Sequence, residues 1–70
     1  MTMESLREFV RREPFAAFVI RLCNGEQHAV RHPECIALTR SQVVVTYPDE
    51  DRVVHCGLIH VNSVEALQHA

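Results

Sequence analysis

Histidine and cysteine side chains are the residues of this chain that could bind a metal ion or act as a nucleophile. Six of them belong to types that zinc accepts: His28, His32, Cys35, His55, Cys56 and His60. Two histidines on one strand, His28 and His32, would lie about 13 Å apart at ~3.3 Å per residue, too far to share an ion. His32 and Cys35, on either side of a proline, form the one local pair that could share a metal ion.

The spacing of these residues does not follow a zinc motif, because the sequence contains no Cys-x-x-Cys. We therefore predict no metal and no cofactor, and His32 and Cys35 remain the candidate ligands. The same pair could act as a nucleophile and its base, which requires an electropositive setting and a cleft. A chain of 70 residues leaves little material for a cleft, so we predict a non-enzymatic protein without catalytic residues.

Length and composition predict one small domain over residues 1–70. The chain has a mass of 8.0 kDa, with 47% hydrophobic and 23% charged residues. These proportions are those of an ordinary globular protein and disfavour a disordered or membrane-spanning chain. A domain of this size buries only about 60% of the surface that its unfolded chain exposes, so we expect a homo-oligomer or a protein partner to supplement its core.

The charge balance does not favour nucleic acid as a partner. Seven arginines, no lysines and nine acidic residues give a net charge of −2, and only Arg11 and Arg12 are adjacent. Sequence-independent binding to a polyanion requires a basic patch. If nucleic acid did bind, Arg21, Arg31 and Arg52 would be the contact residues.

The N-terminal residues and the cysteine count predict a cytoplasmic protein. No basic segment precedes an apolar stretch at the start, and no apolar run approaches the ~20 residues that span a bilayer. We therefore expect no membrane association. Three cysteines are an odd number, which indicates reduced thiols rather than a disulfide framework.

Apolar periodicity predicts an N-terminal helix from about Met3 to Arg12. Thr2 is a suitable N-cap, and Pro14 ends the helix because proline disfavours helical backbone at the residue before it. The remaining chain has the patterning of about five short strands. Their segments are Phe18–Cys23, Glu26–His32, Cys35–Leu38 (a strand or one helical turn), Gln42–Tyr47, Arg52–His55 and Leu58–Leu67.

Asn24-Gly25 predicts a hairpin between the first two strands. A two-residue loop would place Ile20 on the same face as Ala29, whereas a longer loop with a glycine bulge would place it with Val30 and His28. The second register buries more apolar surface, and we prefer it.

The order of elements predicts an α+β fold, in which one helix precedes a strongly bent antiparallel sheet that forms an SH3-like small barrel. This order resembles the Sm-like fold. Leu22 to Gly25 is similar to the strand and turn of the first Sm motif, and Cys56-Gly57 occupies the place of the Arg-Gly turn of the second. Cys56 replaces the arginine, and the Asp and Asn that contact a nucleotide are missing. The resemblance therefore implies a topology, and RNA binding is an alternative function only.

A second resemblance covers most of the chain. The segments Pro14-Phe15-Ala16-Ala17-Phe18, Leu22 to Gly25 and Val30 to Glu34 are similar to a pattern in short bacterial proteins of unknown function. That pattern is Pro-Phe-x-x-Phe, Leu-x-x-Gly and Val-x-His-Pro-Glu. It implies a shared fold and a cytoplasmic setting, and no activity.

Free strand edges make a self-associating interaction or assembly module the function that we predict. The candidate edges are Val43 to Thr46 and Leu58 to Val61, and the candidate interaction residues are Val43, Val45, Leu58 and Ile59. Three alternatives stay open: an Sm-like RNA-binding ring, a zinc-stabilised module, and a monomer with edges protected by the helix, Arg52 and Glu65.

Overall fold

The chain forms one helix followed by six antiparallel strands in a computed structural model that describes residues 1–67. The elements are α1 (Met3–Val10), β1 (Phe18–Leu22), β2 (Gln27–Val30), β3 (Ile36–Leu38), β4 (Gln42–Tyr47), β5 (Arg52–Gly57) and β6 (Val61–Ala66). Three 3-10 turns lie between strands, at Pro33–Cys35, Pro48–Glu50 and Leu58–His60. The predicted α+β class is confirmed.

The strands form two three-stranded sheets, with the orders β2-β1-β6 and β3-β4-β5. The prediction that one bent sheet closes into a barrel is therefore wrong for residues 1–67. The turn Pro33–Cys35 separates β2 from β3, and Leu58–His60 separates β5 from β6. A strand ladder cannot continue through either turn, because the backbone leaves the extended conformation there and Pro33 has no amide proton to donate.

Helix α1 begins as its sequence predicts. The Thr2 hydroxyl accepts a hydrogen bond from the Ser5 amide over 3.2 Å, which satisfies one of the free amides of the first turn. The helix ends at Val10, two residues before the predicted end at Arg12. Beyond it, the Arg12 guanidinium lies 4.6 Å from the centre of the Phe9 ring and covers that ring from solvent.

The β1–β2 hairpin has the longer loop, and the preferred register is confirmed. Ile20 lies opposite His28, and Phe18 lies opposite Val30. Gly25 has a φ of 92°, a conformation that a side chain would strain. The Asn24 side-chain oxygen accepts from the Glu26 amide over 2.9 Å and supports the turn.

The core lies between the inner faces of the two sheets and the apolar side of α1. Its fully buried side chains are Leu6, Phe18, Ile20, Val30, Val43 and Val45. Two partly buried aromatic rings, Phe9 and Phe15, lie 5.4 and 5.9 Å from the Phe18 ring, centre to centre. Tilted aromatic pairs at such distances add to the free energy of burial, so Phe18 organises the contact between α1 and the first sheet.

The substitution Phe18→Ala tests this role. We expect it to lower the free energy of unfolding by about 3–5 kcal/mol, because it removes a buried ring and leaves a cavity. Urea unfolding followed by circular dichroism measures the change. The exposed α1 substitution Glu8→Ala is the control, with an expected change within about 0.5 kcal/mol. A loss below 1 kcal/mol for Phe18→Ala would contradict the central position of this ring.

Candidate interaction site

Strand β5 is an edge of its sheet. The phase of its ladder with β4, meaning which alternate residues bond to β4, shows which of its backbone groups are free. The Leu58 amide donates to the Ser41 carbonyl over 2.8 Å, one step beyond the opposed pair Gln42 and Gly57. Hydrogen-bonded and non-bonded pairs alternate along an antiparallel ladder. The even-numbered residues of β5 therefore bond to β4, whereas Val53, His55 and Gly57 direct their amides and carbonyls away from it.

The other three edges of the two sheets are less open than β5. Strands β2 and β3 have four and three residues, and Pro33 lies between them. Strand β6 has a register shift against β1, and its Glu65 forms an ion pair with Arg21 over 3.3 Å. Short strands, prolines, bulges and charges are the features that protect sheet edges from pairing. Strand β5 has six residues in one unbroken register and contains no proline, so it is the edge most open to another strand.

Exposed apolar side chains lie at both ends of β5. Val53 keeps 54% of its surface exposed, and Ile59, just beyond the strand, keeps 85%. A Cβ atom on Gly57 would lie 3.5 Å from His60 Cδ2 and 3.9 Å from Ile59 Cγ1, so both side chains lie beside the surface that Gly57 leaves uncovered. The free edge of β5 is thus flanked by apolar surface.

A groove of about 420 Å³ runs beside β5, between this strand and the β1–β2 hairpin. Its lining residues are Leu22, Asn24, Glu26, Val54, His55, Cys56, Gly57 and His60. Burial raises the pKa of the Cys56 thiol, and the nearby Glu26 carboxylate raises it further. The Cys56 thiol that lines this groove is therefore protonated and weakly nucleophilic.

A polar network behind the groove connects the two sheets. His28 on β2 is 7% exposed, and its two ring nitrogens contact different partners: Nδ1 the Tyr47 hydroxyl on β4, and Nε2 a Glu26 carboxylate oxygen at 3.3 Å. With a neutral imidazole, Nε2–H donates to Glu26 and Nδ1 accepts the Tyr47 proton. Side-chain hydrogen bonds thus connect the sheets where they share no backbone ladder.

Tyr47 is held in this network as a hydrogen-bond donor. Burial raises the pKa of its hydroxyl, and the Arg52 guanidinium, 4.5 Å from the ring centre, offsets part of that shift. Since the hydroxyl keeps its proton at neutral pH, it can donate to His28 throughout the physiological range.

Two of the four predicted interaction residues are core residues. Val43 and Val45 are 0% and 1% exposed and lie in β4, the middle strand of its sheet. The expectation that Val43 to Thr46 forms an edge is wrong, because β3 and β5 bond to its two sides. Leu58 and Ile59 lie in a 3-10 turn rather than in the predicted strand, Leu58 half-buried and Ile59 exposed.

The candidate metal ligands His32 and Cys35 line a second groove of about 520 Å³, near the ends of β2 and β4. Arg31 lines the same groove, together with the acidic residues Asp49 and Glu50. Within residues 1–67, no three His, Cys, Asp or Glu side chains are arranged to hold a metal ion.

The three arginines predicted for nucleic-acid contact lie on different parts of the fold. Arg21 on β1 is paired with Glu65, and Arg52 on β5 lies 3.9 Å from Glu50, Nε to Oε1. Arg31 follows β2 and is exposed. Two of the three thus face a carboxylate that offsets their charge.

The chain finds no match among protein-family models, curated proteins or solved structures. Both resemblances stated from the sequence therefore stay predictions. In the described part of the chain, no helix has the length and apolar character needed to cross a membrane.

The sequence named His55 only as a zinc-type residue and Gly57 only as part of the Sm-like turn, and it predicted none of Val53, His55 and Gly57 as an interaction residue. It identified a strand at Arg52–His55, but a strand pattern carries no information about which neighbour pairs with it or on which side. The signal that identifies these residues is the phase of the β4–β5 ladder, which requires the contact between Leu58 and Ser41.

Replacing Tyr47 with Phe tests the connection between the sheets. The change removes the hydroxyl and leaves Nδ1 of a buried histidine unpaired, so we expect a loss of about 1–3 kcal/mol in the free energy of unfolding. Thr46→Val, which deletes a hydroxyl on the opposite face of the same strand, is the control. Equal losses for the two variants in urea unfolding would contradict a specific role for the Tyr47 hydroxyl.

The two thiols of this region differ in reactivity. Cys23 is exposed, whereas Cys56 is half-buried and burial raises its pKa. Since the thiolate is the reacting form, iodoacetamide at about pH 8 modifies Cys23 well before Cys56. Peptide mass spectrometry over time measures both rates, and the difference disappears in concentrated urea. Faster modification of Cys56 in the folded protein would contradict its position in the wall of the groove.

Proposed function

We propose that the chain is a non-enzymatic protein-interaction module that associates with a second copy of itself through the free edge of β5. The observation that carries this proposal is the unpaired backbone of Val53, His55 and Gly57 on an unprotected edge. A strand that adds to such an edge gains main-chain hydrogen bonds without any rearrangement of the sheet.

A second copy is the partner that the edge itself supplies. In a twofold arrangement, the same strand runs antiparallel to itself, and each copy offers the same free amides and carbonyls. The resulting ladder would join the β3-β4-β5 sheet of one copy to the same sheet of the other, giving one continuous sheet across the dimer. The small size of the domain favours this association, since it buries apolar surface that the monomer leaves exposed.

Apolar surface and charge are both complementary in this arrangement. Antiparallel pairing brings Val53 at the start of one β5 toward Ile59, beyond the end of the other. The acidic turn of Asp49, Glu50 and Asp51 precedes β5, and His60 follows it. Each acidic turn therefore approaches His60 of the second copy.

The alternative functions have less support from the geometry. RNA binding requires a basic surface, and two of the three candidate arginines face carboxylates. A zinc-stabilised module requires convergent ligands, and the described residues contain no group of three. The cytoplasmic location, the absence of a cofactor and the absence of catalysis stay predictions.

Sedimentation velocity over a range of concentrations tests the association. We expect a particle of twice the 8.0 kDa chain mass that dissociates on dilution. Val53→Lys places a charge on the free edge and is expected to give a monomer. Ala37→Lys, on the same outer sheet face but on β3, is the matched control and is expected to remain a dimer.

Proline substitutions separate pairing from folding. The Val53 amide points away from β4, so Val53→Pro removes a bond of the dimer and none of the β4–β5 ladder, and the monomer stays folded. Val54→Pro removes a ladder bond and unfolds the domain. A wild-type monomer at every concentration, or dimers of both lysine variants, would overturn the proposal.

A further inference from the structure

We infer that protonation of His55 controls self-association through β5, so that the dimer forms at neutral pH and dissociates in mild acid. The inference rests on the proposed function and adds to it the register of the pairing and its regulation. It follows from the phase of the β4–β5 ladder together with the positions of the charges around β5.

The phase of the ladder restricts the registers that a twofold pair can adopt. Only Val53, His55 and Gly57 offer free backbone groups, so each hydrogen-bonded pair must join two members of this set. One register uses all three on both strands: Val53 pairs with Gly57 of the second copy, Gly57 with Val53, and His55 with its own copy. The register centred on Val54 pairs only Val53 with His55 and makes fewer hydrogen bonds.

Side-chain packing favours the same register. Gly57 has no side chain, and the His60 and Ile59 side chains lie beside the surface that it leaves uncovered. When Val53 of the second copy lies opposite Gly57, it meets exposed Ile59 and the His60 ring. The contact occurs twice in the dimer, once at each end of the paired strands.

The register places the two His55 side chains opposite each other on the twofold axis. Cα atoms of a hydrogen-bonded antiparallel pair lie about 5.5 Å apart, so the two imidazoles are in contact distance. Two neutral rings can pack there or share a hydrogen bond. Two imidazolium ions directly opposite each other repel, because like charges destabilise a cross-strand pair.

The surroundings of His55 in the monomer contain little that would neutralise this repulsion. Val44 lies opposite His55 on β4, and its diagonal neighbours on that outer face are Gln42 and Thr46, none of them ionisable. The ionisable residues of the groove beside His55 are Glu26, Cys56 and His60. The Glu26 carboxylate is already 3.3 Å from His28 Nε2, and Cys56 is neutral in acid.

Protonation of His60 has the opposite effect on association to protonation of His55, because it would strengthen the attraction between His60 and the acidic turn of the second copy. It lies at the exposed rim of the interface, where solvent and salt weaken ion pairs. The two His55 rings lie directly opposite each other at contact distance, whereas His60 and the acidic turn approach each other across the exposed ends of the paired strands. The repulsion at the axis therefore determines the direction of the pH response.

The dissociation constant of the dimer at two pH values tests the inference. Histidine titrates between about pH 5 and pH 8, so sedimentation equilibrium at about pH 8 and about pH 5.5 compares the two charge states. We expect wild-type dissociation to be at least about tenfold easier in acid. His55→Gln is expected to dimerise at least as tightly at about pH 5.5 as at about pH 8, and His60→Gln, the matched control, to keep the acid loss.

Disulfide cross-linking tests the register at neutral pH and does not depend on acid stability. In the proposed register, His55→Cys brings its new thiol to its own copy at a Cα separation compatible with a disulfide. Val53→Cys places its thiol opposite Gly57 and is expected to stay uncross-linked. Both variants carry Cys23→Ser, because the exposed Cys23 thiol would also cross-link copies. The expected result on mild oxidation is a covalent dimer of the first variant alone.

The outcomes distinguish this inference from the proposed function. A wild-type monomer at both pH values overturns both. A dimer with the same dissociation constant at both values overturns the control by His55 and leaves self-association intact. Cross-linking of Val53→Cys in preference to His55→Cys overturns the register, and so the position of His55 on the axis.

Discussion

The loss of extended backbone at two points of the chain determines how the strands of this domain end. Pro33 removes an amide donor where β2 would otherwise continue into β3, and the turn Leu58–His60 interrupts the passage from β5 to β6. Each interruption ends a hydrogen-bonded ladder and creates a pair of strand edges. Short strands protect β2 and β3, and a register shift with an ion pair protects β6, but the six-residue edge strand β5 stays uncovered.

The two sheets must then be held together by side chains rather than by a shared ladder. Phe18 on β1 and Val43 and Val45 on β4 are among the fully buried apolar side chains between them, and His28 adds a directional contact. A buried imidazole is costly unless both nitrogens have partners. Here one partner, Tyr47, belongs to the opposite sheet, so the requirement to satisfy His28 also fixes the position of β4 relative to β2. The polar network therefore contributes to the alignment of the sheets as well as to their stability.

Local features of this fold could be predicted from the sequence, and features that depend on distant pairing could not. The Thr2 cap, the hairpin register around Gly25 and the bounds of β4 follow from neighbouring residues, and the structure confirms all three. The closed barrel and the edge at Val43 are wrong for a common reason. The β-branched run of β4 indicates a strand, but its central position depends on β3 and β5 lying on both sides. The candidate site could not be predicted for the same reason, since the free groups of β5 are identified by a hydrogen bond between Leu58 and Ser41, which are distant in sequence.

The position of His55 follows from how a strand divides its functions between alternate residues. The even-numbered residues of β5 bond to β4, and among their side chains that of Cys56 packs against the core. The odd-numbered residues direct their backbone groups away from β4, and their positions lie on the outer face of the sheet. A substitution or a change of charge at these residues therefore leaves the fold intact. A histidine at the middle of that set, between a valine and a glycine, places a titratable group where the monomer tolerates its charge and a paired strand does not. Alternate residues of β5 thus have separate roles: the even-numbered ones hold the strand in its sheet, and the odd-numbered ones are available for regulated association.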